Sequence, residues 1–167
     1  MEDNRKWYVI RTKSRAEKKV SLGLAKVGID HFLPLQKQLR QWKDRKKWVE
    51  LPLFHSYIFV FVPELFRNEV FQVPGVLKYL SNKGLPCVLQ PEEIERIKKI
   101  CRQEHEVSIT TIGSHIGDEV EVSEGPLKGL RGRISEKGSN AYLYIQIDNL
   151  GFTAFFKIEK QLVKQLQ

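Results

Sequence analysis

A chain of 167 residues is long enough for one medium domain or two small ones, either with a buried core. Lysine and arginine outnumber aspartate and glutamate by 28 to 20, and the whole excess of +8 lies in residues 1–50, which carry 14 basic and 6 acidic side chains against 14 and 14 in the remainder. Two cysteines without a secretory apolar segment predict a reducing cytoplasm and no disulfide framework, and the longest apolar run, residues 51–62, is far short of the roughly 20 residues that cross a bilayer.

In chain order, residues 7–12 (WYVIRT) read as a strand. Ser14 is a candidate N-cap, with Glu17 completing a capping box, for a helix whose inward stripe is Ala16, Val20, Leu24 and Val27, ended by Gly28. Arg15, Lys18, Lys19, Leu22 and Lys26 share its other face. That cationic ridge is either a solvated surface or a match to the phosphates of a nucleic-acid backbone.

Residues 29–39 read as a strand broken by Pro34, followed by RQWKDRKKW. Five cations there surround a Lys43-Asp44-Arg45 turn signal flanked by Trp42 and Trp48, which predicts a β-hairpin tip. The indoles either pack across the hairpin or stack on bases while the cations hold phosphates.

Residues 51–62 (LPLFHSYIFVFV) predict a central strand covered on both faces. Tyr57, its polar handle, is either a core tyrosine or a contact residue. Pro63-Glu64 opens a short helix with Leu65, Phe66, Val70 and Phe71 inward, stopped at Pro74-Gly75. Two short strands follow around Asn82-Lys83-Gly84. Pro91 then starts a helix with Glu92 and Glu93 in its first turn and Ile94, Ile97 and Ile100 or Cys101 as its apolar stripe. These elements predict an α/β layer of about a hundred residues.

Residues 105–115 read as a linker. Beyond it, alternation at Val120 and Val122 and at Leu143, Ile145 and Ile147, with turns at Gly125-Pro126, Lys137-Gly138 and Asn149-Leu150-Gly151, predicts a small β-barrel. The fold class is therefore α+β, with residues 1–104 and 116–167 as separate domains.

Taken together, WYVIRT with a basic helix, LFHSYIFVFV, VPGVLKYL, PEEIERI and GDEVEVSEGPLKGLRGRI resemble, in this order, the NusG family of transcription elongation factors. The last segment is similar to the KOW motif, in which Gly125, Gly129 and Gly132 permit tight turns and close backbone approach. The resemblance implies an N-terminal NGN-like sandwich that binds the clamp helices of the largest subunit of RNA polymerase, and a C-terminal SH3-like KOW barrel.

Family central strands read FPGYVLV or FPNYLFV, so Tyr57 and Phe54 fall on the family tyrosine and phenylalanine, while His55 and Ser56 replace Pro and Gly or Asn. Tyr57 is accordingly the implied polymerase anchor, with Phe54, Leu53 and Val76 beside it. By position, Arg11, Lys13, Arg15, Lys18 and Lys19 would face the non-template DNA strand, the arginines being better suited to grip a base edge. The basic front and the central-strand variant are more similar to specialised antiterminators of the RfaH type, including those of polysaccharide operons. Strand-favouring residues 142–147 predict a β-barrel rather than the helical hairpin of some such paralogues.

No catalytic constellation is legible, so the chain is expected not to be an enzyme. Cys101 and His105 are two ligands where a structural zinc site needs four, and His31, His55 and His115 are scattered singles, so no metal and no cofactor is expected. The family barrel binds a small-subunit ribosomal protein or the Rho termination factor, for which Phe152, Phe155 and Phe156 are candidate exposed aromatics. The expected protein is a monomer without a membrane contact. Two alternatives stand beside this reading, a housekeeping NusG-type factor and a ribosome-associated KOW protein that binds RNA.

Overall fold

The computed structural model describes residues 4–103, 105–111, 117–147 and 150–167. The chain divides into two compact units, one of Met1–Leu35 with Phe54–Ile94, the other of Gln36–Leu53 with Glu95–Gln167. Its elements are mixed, with antiparallel strands dominating.

The first unit opens with β1 (Arg5–Thr12), α1 (Glu17–Lys26) and β2 (Asp30–Phe32). The hairpin strands β3 (Leu35–Gln41) and β4 (Lys46–Pro52) come next in the chain but, apart from Leu35, belong to the second unit; β5 (Tyr57–Pro63) and a 3-10 helix over Glu64–Gln72 belong again to the first. Short strands β6 (Val76–Tyr79), β7 (Ser81–Asn82), β8 (Leu85–Pro86) and β9 (Val88–Leu89) lead to α2 (Pro91–Arg102). Sheet order is β2-β5-β1-β6, with β9 also paired to β1. One sheet face carries Tyr8, Ile10, Ile58, Val60 and Tyr79, which pack with Val20 and Leu24 of α1 and with Val70 and Val73 into a buried core.

Four details of the first ninety residues differ from the sequence reading. Ser14 is not the N-cap and no capping box forms: α1 starts at Glu17, and its cap residue Ala16 makes no side-chain cap bond. Val27, at the C-cap, is exposed rather than inward. Residues 51–62 are not one strand, because Leu51 and Pro52 end β4 and a bend precedes β5. In the segment after Pro63 only Val70 is buried, while Leu65, Phe66 and Phe71 are exposed. That segment is a 3-10 helix with three residues per turn, so a stripe laid out at 3.6 does not stay on one side.

The second unit contains β10 (Ser108–Thr110), β11 (Asp118–Val122), β12 (Arg131–Lys137), β13 (Asn140–Ile147), β14 (Phe152–Ile158), a short 3-10 turn and β15 (Val163–Gln165). These six strands form one sheet in the order β10-β14-β13-β12-β11-β15, paired antiparallel among the described residues. Val120, Val122, Leu143, Ile145 and Ile147 are buried at the alternate positions that the pattern required. Strand β10 lies inside the stretch read as a linker. His115 and Asn149 fall outside the described residues.

The glycines after β11 have two different causes. Gly125 and Gly129 hold φ of +84° and +88°, which a side chain resists. Gly132 is needed for space, since a Cβ there would stand 2.3 Å from the Tyr144 carbonyl oxygen.

Candidate functional site

Strands β1 and β5 pair from Arg5↔Pro63 to Arg11↔Tyr57, so odd-numbered residues of both point to the face opposite α1. Aromatics dominate that face. Trp7 stacks on Phe61 at 4.9 Å, and Phe59 meets Phe32 and Phe54, each at 6.0 Å between ring centroids. The Arg5 guanidinium lies 4.7 Å over Phe61. Phe54 and Leu53 are buried, while Tyr57 and Val76 are half-buried. Tyr57 thus stands, half-buried, at the edge of an apolar face.

At the end of β1 the apolar face gives way to charge. Arg11 pairs with Tyr57 on one side and Lys78 on the other, and the register then shifts by a bulge between Arg11 and Thr12. Lys78 was not singled out from the sequence. Its signal is the lone cation in Val76–Tyr79, an exposed position in a strand that otherwise carries apolar residues.

The loop after β1 is fixed by backbone bonds, from Thr12 N to Ser56 O at 2.8 Å and from Lys13 N to Gly75 O at 2.9 Å. Within it Arg15 takes φ +60°, a conformation that costs a non-glycine residue roughly 1–2 kcal/mol. Arg11, Lys13, Arg15, Lys18 and Lys19 are all exposed, so the structure brings the five candidate cations onto β1, the loop and the first turn of α1.

Glu17 belongs to neither set, yet it links the segments that carry them. Its side chain is only 4 % exposed, and its Oε1 accepts a 2.7 Å bond from the backbone N–H of Ser56. Ser56 has φ +68° and immediately precedes Tyr57. The carboxylate therefore ties the first turn of the basic helix to the bend that launches β5. His55 is exposed in the same bend.

In the second unit several cations are paired. Arg131 and Arg133 lie directly opposite Glu121 and Glu119 and bind them at 2.8 Å each. Lys160 reaches Glu136 at 2.6 Å. Of the three candidate exposed aromatics, Phe156 is core, while Phe155 stacks on Tyr144 at 5.2 Å and stays half-buried, as does Phe152. Among the described residues no group of His, Cys, Asp and Glu could hold a metal ion, and no helix is long and apolar enough to cross a membrane. Burial raises the thiol pKa of Cys87, and raises that of Cys101 to about 11.

Comparison with known proteins identifies the family. A family model described as transcription termination factor nusG matches residues 5–98. The transcription termination/antitermination protein NusG of Halalkalibacterium halodurans is 28% identical over 153 residues, covering 81% of this chain and 83% of that protein. Its counterpart in Rickettsia conorii is 27% identical over 145 residues, 79% of this chain and 74% of the relative. The solved structure of Thermotoga maritima NusG, 22% identical, superposes with a TM-score of 0.62 over 98% of both chains, which establishes likeness of fold. With more than half of its length matched by the family model, the chain belongs to the NusG family of transcription termination and antitermination factors.

Proposed function

We propose that this protein is an elongation and antitermination factor that binds RNA polymerase through the sheet face bearing Tyr57 and holds the non-template DNA strand with Arg11, Lys13, Arg15, Lys18 and Lys19. The observation that carries the reading is the Arg11↔Tyr57 pair. It puts a half-buried aromatic at the edge of an apolar face directly beside an exposed cation, so one short surface can serve a protein and a polyanion at once. Phe54, Leu53 and Val76 shape the apolar part. The clamp helices of the largest polymerase subunit are the partner that the family resemblance implies.

In this reading residues 1–104 are the polymerase-binding domain, residues 105–115 the linker and residues 116–167 a KOW barrel of SH3-like form. The barrel meets a small-subunit ribosomal protein or Rho. RNA binding by the barrel, as in a ribosome-associated KOW protein, is disfavoured because Arg131 and Arg133 already spend their charge on Glu121 and Glu119. The basic front and the central-strand variant support an operon-specific factor of the RfaH type. A housekeeping NusG-type role is the second reading, favoured by the names of the relatives.

The test is retention of purified core polymerase by immobilised protein at moderate salt. Wild type should retain it and Tyr57→Ala should lose at least tenfold in affinity, while the triple substitution of Arg15, Lys18 and Lys19 by Ala should keep it in the absence of DNA. Equal retention by Tyr57→Ala would remove Tyr57 from the interface.

A further inference from the structure

The polymerase and non-template-strand reading leaves the β3–β4 hairpin unused, although it carries a second concentration of positive charge. Residues 35–52 contain six cations and two acidic residues. The tip is a tight turn in which Trp42 N donates to Arg45 O at 2.7 Å. Its two indoles do not retreat from water: Trp42 is 52% and Trp48 65% exposed. Lys47 Nζ stands 5.7 Å over the Trp42 ring, so one cation is already poised at an aromatic face.

The base of the ribbon is held by a buried side chain. Gln36 is 3% exposed, and its amide donates to the His105 carbonyl at 3.0 Å and accepts from the Val107 N–H at 3.2 Å. Gln38 donates to the Gln36 side chain, and Arg40 donates to that of Gln38. These bonds tie β3 near its start to residues 105–107 and run along it as far as Arg40.

From these features we infer that the β3–β4 hairpin is a binding site for an unpaired nucleic-acid strand, with Trp42 and Trp48 stacking on bases and Arg45, Lys46 and Lys47 holding phosphates. Exposed flat rings among cations are the two elements that a single strand requires, because every base has a stacking face and every nucleotide one negative charge. A duplex hides its base faces and offers only phosphates. Lys46 and Lys47, adjacent on β4 and both exposed, point to opposite faces of the ribbon. A flat anionic membrane would engage one of those faces, whereas a flexible strand can pass around the tip.

The experiment uses the full chain and labelled twelve-nucleotide probes of mixed sequence: unpaired DNA, unpaired RNA and duplex DNA, followed by fluorescence anisotropy at several salt concentrations. Stacking predicts tighter binding of one or both unpaired probes than of the duplex. Trp42→Ala and Trp48→Ala should each weaken that binding by roughly 5- to 150-fold, and Trp48→Phe should recover part of it. Replacing Lys46 and Lys47 by Gln should lower the salt slope by about 1.4. Thermal unfolding of each variant confirms that the exposed substitutions leave the fold intact. Duplex binding equal to single-strand binding, indifference to both indole substitutions, or binding to anionic vesicles with none to the oligonucleotides would overturn the inference. Polymerase retention is scored separately with Tyr57→Ala, so failure of the hairpin site and failure of the polymerase reading remain distinguishable.

Discussion

Glu17 Oε1 lies 2.7 Å from the backbone nitrogen of Ser56, a residue held at φ +68° one position before Tyr57. Glu17→Ala strands that partly buried N–H and should cost about 1–3 kcal/mol of stability, measured by denaturant titration. Glu17→Gln keeps an acceptor oxygen and should lose less. Equal loss in both variants would mean that charge, not the hydrogen bond, is what matters there.

Ser56 itself should prefer glycine. The left-handed conformation penalises a side chain, and the added freedom of glycine in the unfolded chain offsets part of the relief. Ser56→Gly should therefore be neutral or stabilising by several tenths of a kcal/mol, whereas Ser56→Val should lose about 1–2 kcal/mol or more. A stabilised valine variant would contradict the backbone assignment.

These two residues mark where the sequence was legible and where it was not. The hairpin around Lys43 and Asp44, the Pro91 helix and the alternation of β11 and β13 are local signals, and they emerged where expected. Ser14 and Glu17 also form a local signal, but the carboxylate binds an N–H 39 positions away, which no short window reveals. The apolar run of residues 51–62 hid the bend at Ser56 because composition stays apolar on both sides of it. Of the candidate surface, Lys18 and Lys19 were readable from helical spacing, whereas Arg15, expected on the same helix face, lies in the loop before α1. Lys78 was not readable, because only the β1–β6 pairing brings it beside Arg11.

Gly132 and Gly129 should fail for different reasons. Gly132→Ala drives a Cβ to 2.3 Å from a backbone oxygen in the neighbouring strand and should destabilise the second unit by about 1–3 kcal/mol. Gly129→Ala meets nothing within 4 Å and should cost only the conformational penalty of positive φ, about 1–2 kcal/mol. Thermal melts of the two variants check the order.

The two thiols should be slow nucleophiles. Burial raises the Cys101 pKa from its ordinary 9.0 to about 11 and moves Cys87 in the same direction. Iodoacetamide at pH 8 should label the native protein much more slowly than the denatured one. Because a raised folded pKa favours the neutral thiol, this contribution to stability is complete below pH 9 and falls as pH rises from 9 through about 11. Rapid native labelling of either cysteine at pH 8 would contradict the raised pKa of that thiol.

The second unit should show strands in solution. Its circular dichroism, taken within the whole chain, should contain no helix beyond α1, α2 and the 3-10 segments. A markedly higher helical signal would indicate an alternative fold of residues 116–167.

The central claim is tested most directly by transcription of a long template with purified RNA polymerase, comparing wild type, Tyr57→Ala and the Arg15, Lys18 and Lys19 triple alanine variant. The account predicts that wild type raises read-through, that Tyr57→Ala abolishes the gain because polymerase is no longer held, and that the triple variant loses it while still binding polymerase. Undiminished read-through with both variants would contradict the assignment of these residues, and absence of any wild-type effect on templates carrying the protein's own upstream operon sequences would contradict the antitermination function itself.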